Sequence, residues 1–343
     1  PIPPPPSAPP PSPPPNDCLA YAQGEGSSFV LCTGTTAAGV ARHMRRVDLR
    51  NHNLMSSAFD GVDMRGANLD NADLRGSTLY DTNLAGASLR GARLAKVKLA
   101  RANLRGADFT GAELLEADFT AAVFTDAVFR RALMRRVSIK HIHEGARAIF
   151  DGADLRDAQV TDNEMPNSSW VGTELHAVAM EDTGLQGARI EQADLSGARF
   201  VDVRMQGALL LSTSLKGINM NGPADLTHIT IFNSSFQDAF LPGALFVEAN
   251  ARGVDFSGAV PELSVPVPEV HARSHAPISR IGSILQNSDF RRANVERSSF
   301  AGATITDATF DFANVSLTDF TNAIGASKGS WFNIQGTPVG LVL

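Results

Sequence analysis

The chain has 343 residues, two cysteines, and 30 Lys and Arg against 36 Asp and Glu, a formal net charge of −6. No apolar run approaches the roughly 18 residues a membrane span needs. No Walker motif, nucleophile elbow or zinc-protease helix is present either, which removes the commonest phosphate-binding and hydrolytic chemistries. Nineteen phenylalanines stand beside two tryptophans and two tyrosines, as expected where aromatics fill a narrow interior rather than an amphipathic surface.

Residues 1–16 are mostly proline and can form only extended polyproline II, with no side chains for a core. They read as a tether or spacer. An SH3-type ligand is the other use of such a run, but no Arg or Lys flanks it to give orientation. The chain begins at Pro1, which leaves room for a leader, tag or upstream segment before it. Residues 17–46 are expected to cap a repetitive region that begins at Val47. Cys18 and Cys32 flank the turn signal Gly24-Glu25-Gly26, and a hairpin there would bring the two arms together. A disulfide would fit an oxidising compartment; two buried free thiols are the alternative. Thr35 to Met44 reads as a short helix with a hydroxyl N-cap and a basic finish in Arg42, Arg45 and Arg46.

From Leu49 to Ile139 a large apolar residue falls at every fifth position without a miss. Two residues before each centre sits a small or β-branched residue, most often alanine; His52 is the clear exception. Five is neither the helical nor the strand period. Inward positions therefore step by two and by three. A step of two is a strand fragment with both side chains on one face, and a step of three contains a bend. A chain that bends the same way at regular intervals winds into a parallel coil with a closed core. The Asp and Asn before the centres, such as Asp63, Asn68, Asp73 and Asn103, are expected to hydrogen-bond corner backbone rather than form carboxylate pairs. Gly61, Gly66, Gly76, Gly86, Gly91, Gly106 and Gly111 are expected to mark corners.

The blocks Ala67-Asn68-Leu69-Asp70-Asn71, Ala72-Asp73-Leu74-Arg75-Gly76, Ala102-Asn103-Leu104-Arg105-Gly106 and Ala107-Asp108-Phe109-Thr110-Gly111 resemble the A(D/N)LXX pattern of the pentapeptide-repeat family. That resemblance implies an all-β fold, a right-handed quadrilateral parallel β-helix with four pentapeptides per coil. It covers most of the chain beyond about residue 45.

After Ile139 the next clear centre is Phe150, so one residue is inserted around Lys140 to Gly145. A second slip falls at Asn221-Gly222-Pro223, and Ala251 is a small centre that would leave the core thin. Within 258–283 the pattern vanishes, and Pro261, Pro266, Pro268 and Pro277 exclude regular strands, so this stretch is expected to protrude. The rhythm returns at Leu285 and runs to Phe320, placing the β-helix at 47–325 and a cap or association tail at 326–343. Some 49 blocks, four to a coil, make about 12 coils and a rod of roughly 60 Å.

The best metal candidate is His141-Ile142-His143-Glu144, where alternation puts both imidazoles on one side of a strand, though a structural zinc usually takes four ligands. His271 and His275 lie in the proline-rich excursion. No catalytic, cofactor-binding or metal residue is assigned, and no cofactor is expected. Charge divides unevenly: residues 40–147 carry 18 Lys and Arg against 12 Asp and Glu, while 148–343 carry 12 against 22. The expected function is a non-catalytic scaffold that binds protein partners in a larger assembly, or itself through the C-terminal end. Cys18, Cys32 and the proline leader favour a location outside the cytoplasm over a cytoplasmic one. The family resemblance supplies an alternative, since some members resemble a DNA duplex in size and charge and occupy the DNA site of type II topoisomerases; secreted effectors are another. Arg90, Arg93, Lys96, Lys98, Arg101 and Arg105 depart from such mimicry. A carbohydrate-cleaving β-helix would need longer, irregular coils to carry a cleft. Nucleic acid is not an expected partner.

Overall fold

The computed structural model describes residues 44–220, 224–241, 246–247, 249–251, 254–256, 259, 285, 288–293, 295, 300 and 302–341. The tether, the cysteine hairpin, the Thr35 helix up to residue 43, nearly all of the 258–283 excursion, His271 and His275 lie outside the described residues.

One block shows why five residues suffice. In Ala72 to Gly76 the Ala72 N–H closes a turn onto Leu69 O, the Asp73 N–H donates to His52 O in the preceding coil, and the Leu74 and Gly76 N–H groups donate to Arg93 O and Ala95 O in the next. The remaining N–H, on Arg75, is received by the Asp73 carboxylate at 3.3 Å. Every backbone donor of the block is thereby satisfied, which a sealed solenoid requires. The Asp or Asn of the repeat is thus the acceptor for the one N–H that no coil can reach. Asn68, Asn83, Asn103 and Asp108 receive the N–H of Asp70, Ala85, Arg105 and Thr110 in the same way.

The corner places its last residue at positive φ, as at Gly76 with φ 69°. Glycine adopts that conformation without a Cβ penalty. The fold imposes it on other residues too, among them Lys96, Arg101, Glu116, Ala121, Arg131 and Arg136, all at φ between 53° and 61°.

Coils stack in parallel register. One column runs Asp48, Asn68, Ser88, Asp108, Val128, Ile149, Ser169, Arg189, Leu209, Thr230, Asn250, Asp289, Thr309, Ser330. The step is twenty residues, four blocks, wherever the repeat is unbroken. Thirteen steps of about 4.8 Å give a rod of about 62 Å. The longest paired segments among the described residues are Gln159–Glu164 and Ala179–Gly184, which lie side by side in parallel, with the shorter β1 (Ser138–Lys140) on the other side of the first. The architecture is an all-β, quadrilateral parallel β-helix.

The rung spacing also sets the core. Phe109, Phe129, Phe150 and Trp170 occupy one column and stack face to face, with centroids 5.0, 5.1 and 4.2 Å apart. The coil spacing therefore holds these rings near stacking distance, and such pairs contribute about 0.5–1.5 kcal/mol beyond area burial. At several coils the inward residue before a centre is Ser or Thr whose hydroxyl donates to the centre carbonyl one coil back: Ser77 to Leu54 at 2.7 Å, Thr82 to Phe59 at 2.7 Å, Thr173 to Phe150 at 3.0 Å. The space expected to be thin at Ala251 is covered by Phe246 and Phe256, which meet each other at 5.9 Å and reach Phe290 at 6.4 and 5.6 Å.

The first slip is resolved by two substitutions. Gly145 takes the place of a centre, and an added Cβ there would lie 2.6 Å from Met165 Cγ and 3.1 Å from Ile142 Cγ2. Ile142, at the inward position five residues after Val137, therefore fills the volume that the centre side chain vacates, and the extra residue falls between it and Gly145. The backbone freed by the insertion is met by Asn163, a fully buried amide that receives the Ile142 N–H at 2.9 Å and donates to Ile139 O at 3.0 Å. A step of 21 results, Val128 to Ile149, and another at Leu209 to Thr230 matches the second slip. Asn250 pairs directly with Asp289, so the coils that contain them are adjacent.

Both ends of the helix differ from expectation. Met44 is not the last residue of a helix but the inward residue of the first described coil, donating to Asp63 O. At the other end the coil continues past residue 325: Ser330, Gln335 and Val339 pair with Thr309, Asn314 and Asp319. A short 3-10 helix, Ala326–Lys328, absorbs one extra residue, and Trp331 stacks on Phe310 at 4.6 Å to close the core. The regular five-residue pattern fades there because the residues that follow the ladder positions Ile324, Gln335 and Val339 are Gly325, Gly336 and Gly340.

Leu84→Asp is expected to abolish the soluble fold, because an unpaired carboxylate in this sealed core has no partner. Ala121→Gly, relieving the left-handed corner, is expected to raise stability by about 0.5–1 kcal/mol. Thermal melts by circular dichroism check both, and wild-type melting of the Leu84→Asp protein would show that the inward phase is misassigned.

Candidate interaction surface

With the interior filled, what the protein can do chemically lies on its outward side chains. The repeat pattern puts charges there, and the stacking of coils decides which meet. The motif Asp-apolar-Arg makes a local pair within one block: Arg50 on Asp48, Arg65 on Asp63, Arg75 on Asp73 and Arg156 on Asp154, each with a shortest contact of 2.6 or 2.7 Å. Other pairs join adjacent coils, such as Arg101 with Asp81 at 2.7 Å and Arg147 with Asp126 at 2.6 Å. Five of the six basic residues that set the first half apart therefore carry partners: Arg90 on Asp108, Arg93 on Asp73, Lys96 on Glu116, Arg101 on Asp81 and Arg105 on Glu144. Counting charges along the chain does not reveal these contacts, which depend on the twenty-residue step.

These arginines hold their carboxylates below the usual range. The hydrogen bond from Arg50 lowers Asp48 from 3.8 to about 2. Asp63 is lowered by Arg65 first and then by Arg45, and Asp73, Asp81 and Asp126 by Arg75, Arg101 and Arg147.

His141, at a corner with φ 58°, has its Nδ1 2.8 Å from Asp162 Oδ2, and His143 and Glu144 are exposed beside it. Ile142 between them is buried and both imidazoles are exposed, but the stretch is a corner and not the strand expected, since the strand ends at Lys140. Glu144, however, is drawn to Arg105 at 2.6 Å. Among the described residues no three His, Cys, Asp or Glu side chains gather to hold a metal. No helix among the described residues is long and apolar enough to cross a membrane.

Apolar exposure is concentrated. Of nine exposed large hydrophobic side chains among the described residues, five lie at the C-terminal end: Phe312, Leu317, Ile324, Phe332 and Val339. Phe312 and Phe332 meet at 5.5 Å on one corner. Lys328 is the sole charged residue in 320–341, in a chain that is 19% charged overall.

The family model for pentapeptide repeats matches eight copies over 43–76, 57–95, 102–140, 185–222, 224–260 and 283–322, more than half of the chain. The chain belongs to the pentapeptide-repeat family. Solved structures to which this pentapeptide-repeat protein is similar include HetL of the cyanobacterium Nostoc sp. strain PCC 7120, involved in heterocyst differentiation regulation. It is 21% identical over 66% of this chain and 89% of that one, with a TM-score of 0.26. Full-length QnrB1, a plasmid-mediated fluoroquinolone resistance protein, is 16% identical over 73% and 93%, TM-score 0.21. A pentapeptide-repeat protein of the Arabidopsis thaliana thylakoid lumen is 27% identical over 29% and 73%, TM-score 0.17. No curated protein matches in sequence.

The lowered carboxylates fix the sign of the pH response. A group whose folded pKa lies below its unfolded value stabilises above the unfolded pKa and loses that contribution as pH falls through the folded one. The melting temperature of the pentapeptide-repeat rod is expected to be flat above about pH 5 and to fall as pH drops below about 4. Melts between pH 7 and pH 2 check this, and Asp63→Asn is expected to flatten the acid limb.

Proposed function

We propose that the protein is a non-catalytic scaffold, a rigid rod that holds protein partners at its surface and associates through its C-terminal coils. The observation that carries the reading is the concentration of exposed apolar side chains on those coils, the last of which, 320–341, has Lys328 as its sole charge. Exposed apolar patches mark interaction sites, and depletion of charge beside aromatics is the composition of interface cores. The remaining polar groups of the repeat support the same reading, because Asp, Asn, Ser and Thr hydrogen-bond the backbone and are not left free for reaction.

The triple variant Leu317→Ser, Phe332→Ser, Val339→Ser is expected to fold, since all three side chains are exposed, and to lose the oligomer or the partner recovered with the wild type. Light scattering and affinity capture read this. Unchanged association in a folded variant would move the binding surface to the coil faces.

A location outside the cytoplasm belongs to the same proposal and rests on Cys18 and Cys32 with the proline leader. Non-reducing digestion and mass spectrometry of protein from its native compartment are expected to find the two cysteines bridged. Two free thiols there would remove the main support for that location.

A further inference from the structure

One side of one coil gathers cations that lack the close ion pairs found on most of the basic half, where 12 of the 18 Lys and Arg in 40–147 reach a carboxylate within 4.0 Å. Arg130 and Arg131 stand at its first corner, Leu133 at the middle of the face, and Arg135 and Arg136 at its second corner. Leu133 is 52% exposed, an unusual residue for a position held mostly by polar groups elsewhere on this face. Its ladder neighbours are Glu113 and Asp154. Asp154 is already held by Arg156 at 2.6 Å, and Glu113 lies 3.7 Å from Arg93.

Arg131 and Arg135 on this face have no such arrangement. At the corner of Arg131 the coils before and after present Gly111 and Gly152, and a Cβ on Gly152 would lie 3.4 Å from Arg131 Cγ, so the arginine leans over a glycine. At the corner of Arg135 the neighbouring coils present Leu115, itself exposed, and Arg156, a like charge. Arg135 acts on Asp154 only through its field. Among the described residues no carboxylate lies within 4.0 Å of Arg131 or Arg135, while their neighbours Arg130 and Arg136 reach Asp151 at 3.6 Å and Glu116 at 3.8 Å, as Lys96 reaches Glu116 at 3.7 Å. Like charges placed side by side destabilise, and an exposed leucine adds nothing to the core. The strip has no evident use in holding the fold.

We propose that Arg131, Leu133 and Arg135 form a docking strip for an extended acidic segment of a protein partner, with the pattern acidic–x–apolar–x–acidic. Alternate side chains of an extended chain share one face, so a carboxylate, an apolar side chain and a second carboxylate at that spacing meet Arg131, Leu133 and Arg135 in order. The coil edges above and below are already hydrogen-bonded, as in Arg131 N–H to Asp151 O and Gly111 N–H to Arg130 O. The segment is therefore held by side chains and not added as a strand. Arginine suits the role because its planar fork takes a carboxylate through two hydrogen bonds. The carboxylates Glu113 and Asp154 on either side disfavour a polyanion spread over the whole face and select a ligand confined to one coil.

This proposal deepens the protein-binding reading, and its test is independent of the C-terminal coils. The probe is the fluorescein-labelled peptide Asp-Ser-Leu-Ser-Glu with blocked ends, titrated with the full chain at low salt and followed by anisotropy. Saturable binding is expected, at least about tenfold weaker with Arg131→Ser/Arg135→Ser and with Leu133→Ser, and unchanged with Arg101→Ser on another face. Raising salt to 0.5 M is expected to weaken it severalfold. No binding, binding unaffected by these substitutions, equal binding of the Asp-Ser-Ser-Ser-Glu peptide, or tighter binding of a single-stranded oligonucleotide or of anionic vesicles overturns the proposal. If the peptide fails while the C-terminal serine variant still loses its partner, this strip is wrong and the scaffold reading stands.

Discussion

The structure depends on a backbone hydrogen-bond pattern that closes only when the chain returns to the same place every twenty residues. Each block sends two N–H groups to the next coil, one to the preceding coil and one across its own corner. The fifth has no backbone acceptor in reach, and the repeat supplies one from the side chain of Asp or Asn. Because an unpaired buried N–H costs about as much as a lost hydrogen bond, the recurrent acid or amide is a consequence of the geometry of the corner. The left-handed residue at each corner is a second consequence, tolerated at Lys96, Arg131 or Glu116 because the hydrogen bonds on both sides fix it.

The same spacing organises everything attached to the backbone. Rings in one column stack at about 5 Å because the coils are about that far apart. Charges pair either within a block, as Asp73 with Arg75, or one coil away, as Asp81 with Arg101. Exposed pairs of this kind contribute little singly. Their effect is to neutralise most of the basic half locally, so the excess of arginine in 40–147 does not translate into a uniformly positive surface. Two local features stand out: the Arg131–Leu133–Arg135 strip and the last coil, 320–341, where Lys328 is the sole charge.

Departures from the repeat are absorbed without opening the core. At the first slip a glycine, an inward isoleucine and a buried asparagine together replace one centre and its hydrogen bonds. At the last coil a short 3-10 helix takes up a residue and Trp331 closes the stack. In each case the extra residue is handled by a side chain or a local turn, so the coils beyond it resume their register.

The sequence alone determined the period, the inward phase from Leu49 to Phe320, the positions of the two internal slips and the excursion, because each can be found by counting apolar residues along one chain. It also indicated that Asp63, Asn68, Asp73 and Asn103 serve the corners. It did not reveal that Met44 begins the coil or that Ser330, Gln335 and Val339 extend it, since small centres and an inserted turn blur the count at the last coil. Nor could it tell which arginines are paired. Arg105 and Glu144 are 39 residues apart along the chain, and they meet only because the stacked coils bring them to one side of the rod. Contacts between coils are set by the exact number of residues per turn, and that number becomes fixed only when the whole stack is hydrogen-bonded.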